Sequence, residues 1–209
     1  MAEEVFERTS HWENIYSIKS SVEVSWYQPH LETSLELITR TGVEKAAQII
    51  DVGGGASTLV DDLLDEGFQH VTVLDIASAA LEKSQARLGD RAGGVTWLSA
   101  DITQVSLPHL HYDLWHDRAV FHFLTDAEDR QRYVNLVNTA LKPGGHMIVA
   151  TFAPDGPKKC SGLDTLRYSP DELLAAFGDD FRLVESVSEA HQTPFGTEQK
   201  ITYCHLKRP

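Results

Sequence analysis

Residues 49–57 read Ile49-Ile50-Asp51-Val52-Gly53-Gly54-Gly55-Ala56-Ser57. Apolar residues lead to an acid, the acid to three glycines, and the glycines to an amphipathic run from Thr58 to Leu64. A short apolar run of this kind suits a strand buried on both faces. Glycine turns into positive φ at little steric cost and, without a Cβ, leaves backbone open for a ligand to lie against. The stretch therefore predicts a buried strand, a tight turn and a helix. A second acid, Asp75, closes the next strand-like run, Val71-Thr72-Val73-Leu74. Open α/β sheets bind ligands outside the carboxyl ends of their strands, where strand order reverses. Two acids and a glycine turn at that place describe a nucleoside pocket.

Outward from this stretch, strands are expected at 48–52, 70–74, 95–98, 112–116 and 146–151, with helices at 57–66, 78–88 and 127–141. That alternation argues for a parallel sheet with helices on both faces. Lys142-Pro143-Gly144-Gly145 stops the last of these helices and turns into the fifth strand. The stretch 154–167 reads as a loop, and Ser169-Pro170 opens a short helix with a serine cap and proline in its first turn. Two extended runs, 181–190 and 199–206, joined through Thr193-Pro194-Phe195-Gly196-Thr197, form a terminal antiparallel hairpin. A helix over 31–41 precedes the first strand, and an aromatic lead, Trp12, Tyr16, Trp26 and Tyr27, precedes that helix.

The chain has 209 residues, long enough for one substantial core. Its formal net charge of −13, without a Lys or Arg cluster, argues against a nucleic-acid partner. Cys160 and Cys204 stand far apart, so a disulfide framework or cysteine zinc site is not expected. His109, His111, His116 and His122 match no ligand spacing, and no metal is expected. The start, Met1-Ala2-Glu3-Glu4-Val5-Phe6-Glu7-Arg8, is unlike a targeting peptide. The apolar run at 147–153 is too short to span a bilayer, so no membrane association and a cytoplasmic location are expected.

A dinucleotide fingerprint needs a further glycine three positions after Gly55, where this chain has Thr58. Asp51, placed before the glycines, suits a cationic amino group, and Asp75 suits both hydroxyls of a ribose. In these features the chain resembles the class I S-adenosylmethionine-dependent methyltransferases, from about Trp12 to its C-terminus. The resemblance makes Asp51 and Gly53-Gly54-Gly55 the contacts to the methionine part of S-adenosylmethionine. It makes Asp75 the ribose contact, Ile76 an adenine contact, and Asp101-Ile102 the pair beside the adenine amino group. Tyr112-Asp113-Leu114-Trp115-His116-Asp117 matches the family's fourth strand, and Leu141-Lys142-Pro143-Gly144-Gly145 the approach to its fifth. Ser57 departs from the family's usual small glycine and is expected to cap the helix instead. The implied fold is α/β: a Rossmann-like doubly wound sheet of seven mostly parallel strands, with a terminal antiparallel β-hairpin and helices on both faces. One domain, 1–209, then divides into an N-terminal lid segment (1–45), a cofactor-binding core (46–152) and a substrate loop with the hairpin (153–209).

Methyl transfer from a sulfonium is a direct displacement, so the protein chiefly aligns the reactants and excludes water. His116, Asp117 and His122, at the end of the fourth strand, are candidates to position or deprotonate an acceptor, and His116 also to touch the cofactor. Other readings stay open: a local Asp117–Arg118 ion pair, and a core imidazole for His122. Trp12, Tyr16 and Trp26 either form an aromatic lid against the cofactor or anchor the first helix. Cys160, near Lys158 and Lys159, is either an activated thiol or a filler under its loop. Arg167, Tyr168 and His191 are candidates for the acceptor side. The expected function is S-adenosylmethionine-dependent methyl transfer to a small-molecule nucleophile, with S-adenosyl-L-methionine as cofactor. The alternatives are a protein lysine methyltransferase acting on a basic protein, a non-catalytic S-adenosylmethionine-binding regulator, and a dinucleotide-dependent reductase.

Overall fold

The computed structural model describes residues 7–209. The acidic start, residues 1–6, lies outside the described residues. Helices α1 (Arg8–Ile18) and α2 (Glu32–Thr41) precede the alternating core. That core runs β1 (Gln48–Val52), α3 (Leu59–Asp65), β2 (His70–Asp75), α4 (Ser78–Leu88), β3 (Val95–Ser99), β4 (Tyr112–Arg118), α5 (Ala127–Ala140) and β5 (Leu141–Phe152). A small pair, β6 (Lys159–Cys160) and β7 (Leu163–Asp164), then precedes α6 (Pro170–Phe177), β8 (Arg182–Gln192) and β9 (Glu198–Lys207).

The main sheet has seven strands in the order β3-β2-β1-β4-β5-β9-β8. Strands β1 to β5 are parallel, while β9 pairs antiparallel with both β5 and β8. Strand order reverses between β1 and β4, which places a crevice at the carboxyl end of β1.

Period-two alternation divides the core between the two faces of this sheet. Ile49, Leu114, Ile148 and Ala150 pack with Leu37 of α2, Leu59 and Leu63 of α3 and Leu81 of α4. Their neighbours Ile50, Trp115, Met147 and Val149 pack on the other face with Tyr133 and Val137 of α5 and Leu173 and Phe177 of α6. The N-terminal helix is tied down electrostatically. The Glu13 carboxylate accepts from the backbone N–H groups of Ser78 at 2.6 Å and Ala79 at 3.2 Å, capping α4 from another helix.

Three local expectations are corrected. Helix α3 begins at Leu59 rather than 57, because Ser57 N–H turns back to Gly54 O at 2.7 Å and Ser57 Oγ accepts from Leu59 N–H at 3.2 Å. Strand β5 begins at Leu141 and runs through Lys142-Pro143-Gly144-Gly145. Arg208 holds that stretch from outside, accepting from Gly144 N–H at 3.0 Å and donating to Gly145 O at 2.9 Å. Within 154–167, read as a loop, β6 and β7 form a hairpin. Its two turn residues, Ser161 (φ 50°) and Gly162 (φ 83°), are both left-handed, the geometry that matches strand twist in a two-residue connection.

Candidate active site

The glycine turn leaves β1 at Gly53, whose φ of 71° and N–H bond to Leu74 O at 2.7 Å close it tightly against β2. A Cβ on Gly53 would overlap the Val120 side chain, one on Gly54 the Asp51 carboxyl, and one on Gly55 the Asp75 carboxyl. The close approach of the chain to itself thus requires glycine at all three positions, and Gly53 and Gly54 also leave backbone at the cavities. Gly54 and Gly55 are buried and Gly53 half-buried. Gly53 borders two adjoining cavities, Gly54 the smaller, and Gly55 neither, its role being to leave room for Asp75.

The smaller cavity lies over Asp51, with Tyr16, Trp26, Gln28, His116 and Arg118 around it. Asp51 Oδ1 accepts from His116 Nδ1 at 2.7 Å, and His116 Nε2 lies 2.9 Å from Ser34 Oγ. Asp51 Oδ2 is buried and has no hydrogen-bond partner. The larger cavity contains Asp75, Ile76, Asp101 and Ile102 at one end. Asp75 accepts from Ala77 N–H at 2.9 Å, yet burial pushes its carboxyl up to about 7, with the charges of Asp51 and Glu13 adding to the effect. Asp101 Oδ1 is engaged by Thr103, at 2.8 Å from its N–H and 2.7 Å from its hydroxyl, and Arg8 approaches Asp101 Oδ2 at 3.8 Å.

At the tip of β4, alternation separates neighbours. Asp117 is fully buried on the α5 face, accepting from Tyr133 OH at 2.5 Å and Val120 N–H at 2.8 Å, and lines neither cavity. Burial pushes its carboxyl up to about 6. It braces the turn after β4 and borders neither cavity, so the structure offers no support for the expected base; nor does it pair with Arg118. His116 borders only the smaller cavity and is engaged at both ring nitrogens, so it positions Asp51 and has no free nitrogen for an acceptor. His122 does border the larger cavity. Its Nδ1 accepts from Phe152 N–H at 3.4 Å, its Nε2 has no hydrogen-bond partner, and burial, with the Arg118 charge, holds it down to about 3.

The aromatic lead roofs both cavities. Trp12 packs edge-on against Trp26 (5.9 Å) and Phe123 (5.1 Å), and Tyr16 against Trp26 (6.2 Å). Burial raises the Tyr16 phenol, which stays neutral. The β6–β7 hairpin contributes Cys160 and Leu163 to the larger cavity. Burial raises the Cys160 thiol, contrary to an activated thiol, and Lys159 instead pairs with Asp164 at 3.1 Å. Arg167 donates to Pro154 O at 2.7 Å, Tyr168 packs on Phe121 at 5.6 Å, and neither borders either of these two cavities. His191 anchors the lead through Gln28 at 3.1 Å and Ser25 O at 2.7 Å. Among the described residues no group of three His, Cys, Asp or Glu is placed to hold a metal ion. Sequence reading missed Arg8, Arg118, Val120, Phe123 and Ile201, all bordering the larger cavity. Arg118 was detectable by parity, since it shares a strand face with His116.

Residues 49–145 match a family model described as "Methyltransferase domain". The eEF1A lysine and N-terminal methyltransferase of Mus musculus is 25% identical over 154 residues, which are 71% of this chain and 22% of that protein. The chain thus spans about a fifth of the length of such relatives. A structure from work on conversion of a disulfide bond into a thioacetal group during echinomycin biosynthesis superposes with a TM-score of 0.76 at 16% identity, over 97% of this chain and 92% of that one. Burkholderia thailandensis 1,6-didemethyltoxoflavin-N1-methyltransferase, solved with its 1,6-didemethyltoxoflavin and S-adenosylhomocysteine, superposes with a TM-score of 0.72 at 16% identity, over 96% and 86%. The unpartnered Asp51 oxygen suits the cofactor's amino group, and the Asp75 carboxyl at the wall of the larger cavity suits ribose hydroxyls. The matched core, the sheet order and this pocket are those of a methyltransferase domain with the class I S-adenosylmethionine-dependent methyltransferase fold.

Proposed function

We propose that this domain transfers a methyl group from S-adenosylmethionine to a small-molecule nucleophile held near the tip of β4. The observation that carries the reading is the adjacency of two cavities around Gly53: one over the unpartnered Asp51 oxygen, the other running from Asp75 to Phe152 and Ile201. Bound S-adenosylmethionine supplies a methyl on a sulfonium, and displacement leaves the carbon–sulfur electron pair on sulfur. Asp51, held by His116, takes the amino group; Asp75 takes the ribose hydroxyls; Ile76, Asp101 and Ile102 border the adenine. Trp12, Trp26 and Phe123 cover the reacting centre, excluding water and offering ring faces to a cation. A cytoplasmic location belongs to the same reading, as does the absence of a nucleic-acid partner, which the net charge of −13 supports.

Calorimetric titration with S-adenosylmethionine, S-adenosylhomocysteine and NADH in parallel tests this. Binding of the adenosyl ligands alone, followed by methyl transfer in a small-molecule screen, is the expected result. Binding of NADH alone overturns it, and cofactor binding without turnover on any acceptor favours a regulator. A second reading, methylation of a basic protein, draws support from the lysine methyltransferase relative and from the acidic charge. Incorporation of labelled methyl into lysine peptides, with none into small molecules, would establish it.

A further inference from the structure

The larger cavity has two chemically different ends. Its Asp75 and Asp101 end belongs to β2 and β3; its other end lies across β1, where β4, β5 and β9 meet. That far end is walled by Phe123, Phe152, Cys160, Leu163 and Ile201, all apolar or, for Cys160, a neutral thiol. Three polar side chains border it, Arg118, His122 and, beside Ile201 on β9, Gln199; the first two are buried donors. Arg118, 7% exposed, spends Nε on Tyr203 OH at 2.9 Å and one Nη on Trp26 O at 3.0 Å. Its other Nη donates no hydrogen bond and has Glu189 only at 3.8 Å. His122 is fully buried, and because its Nδ1 accepts from Phe152 N–H, its hydrogen is on Nε2, which has no acceptor. Buried donors without acceptors are costly, and two of them bordering one apolar pocket imply that a ligand supplies the acceptor. A fixed, desolvated guanidinium also repels an ammonium group brought beside it.

We infer that the acceptor subsite selects a small organic anion with an apolar, flat body, whose charged oxygen or sulfur accepts from Arg118 Nη and His122 Nε2, and that it rejects ammonium groups. This rests on the methyltransferase reading and narrows its substrate class. The geometry assigns Arg118 to charge selection and His122 to orientation, with the neutral imidazole donating a hydrogen bond and accepting no proton.

The test uses the protein saturated with S-adenosylhomocysteine and three probes of one shape: benzoate, benzyl alcohol and benzylamine, their binding measured by ligand-observed NMR and calorimetry. Benzoate is expected to bind at least about tenfold more tightly than benzyl alcohol, and benzylamine not measurably. Arg118→Gln should bring benzoate down to the level of benzyl alcohol, a loss larger than any it causes in S-adenosylhomocysteine affinity. His122→Phe should weaken benzoate by a smaller factor. Equal binding of benzylamine and benzoate to the native protein overturns the inference. So does a tenfold or greater loss of S-adenosylhomocysteine affinity in Arg118→Gln with 5′-methylthioadenosine unaffected, because Arg118 would then hold the cofactor's own carboxylate. Native protein that binds neither adenosyl compound instead overturns the cofactor reading itself. The three-probe comparison on native protein decides the inference even where Arg118→Gln does not fold.

Discussion

The two ends of the larger cavity are built in different ways. The Asp75 end comes from residues at or just past the tips of consecutive strands: Gly53 after β1, Asp75 and Ile76 at β2, Asp101 and Ile102 after β3. Each is placed by its own strand, so a short sequence window suffices to locate it. The Arg118 end draws on Trp12, Trp26, Arg118, His122, Phe152, Cys160, Leu163 and Ile201, from both ends of the chain. Only the sheet order, with β9 inserted beside β5, brings these together. An end made of strand tips is legible and constrained; an end made of assembled elements is free to vary with the acceptor.

Gly53 is where the two ends touch, since Val120 of the β4 end occupies the space of its missing Cβ. Gly53→Ala combines a left-handed backbone, φ 71°, with that overlap. It should cost about 2–4 kcal/mol of stability, read from denaturant unfolding. An unchanged midpoint would mean that the β4 turn yields freely and the two ends are not mechanically joined. Asp75→Asn acts at the first end alone: S-adenosylhomocysteine affinity should fall about 10–100-fold with the melting temperature not lowered. Unchanged affinity removes Asp75 from the ribose.

The same carboxyl makes binding and stability respond to pH with opposite signs. Burial raises Asp75 from 3.8 to about 7, so between those values the folded protein holds a proton that the unfolded chain has released. Its contribution to stability is therefore full below the unfolded value and is lost as pH rises toward 7. Ribose hydroxyls donate to the ionised form, so cofactor affinity should instead rise with pH and level off above 7, standing about tenfold lower at pH 6. Asp75→Asn should flatten that profile; a profile unchanged in the variant assigns the titration elsewhere. The smallest effect belongs to the second end. Because burial raises the Cys160 thiol, Cys160→Ser should alter turnover less than about threefold, and iodoacetamide should label the native protein slowly at neutral pH. Rapid labelling, or loss of turnover, would restore an activated thiol.

Much of the site's framework was legible because strands and caps are local. The β1 to β4 spans, the N-cap of α6 at Ser169 and the terminal hairpin follow from short windows. The β4 tip shows where that legibility stops. His116, Asp117 and Arg118 read in sequence as one polar cluster. Strand parity sends Asp117 to Tyr133 on one face and His116 and Arg118 to the other, and only knowledge of what covers each face tells a brace from a binding group. Cys160 fails similarly: two lysines nearby in sequence suggest a lowered thiol, while burial raises it.

By itself, the order of apolar runs, glycines and acids determined a parallel doubly wound core with a nucleoside-type pocket at the tip of β1, because hydrogen-bonded strands and tight turns depend on residues a few positions apart. Tertiary structure alone decided which histidine positions an acid and which faces the cavity, that Asp117 is a brace, and that Arg118 stands beside an apolar wall. Desolvation and the pairing of buried polar groups are set by everything packed around a side chain, and that surrounding is assembled from segments as distant as Trp12 and Ile201.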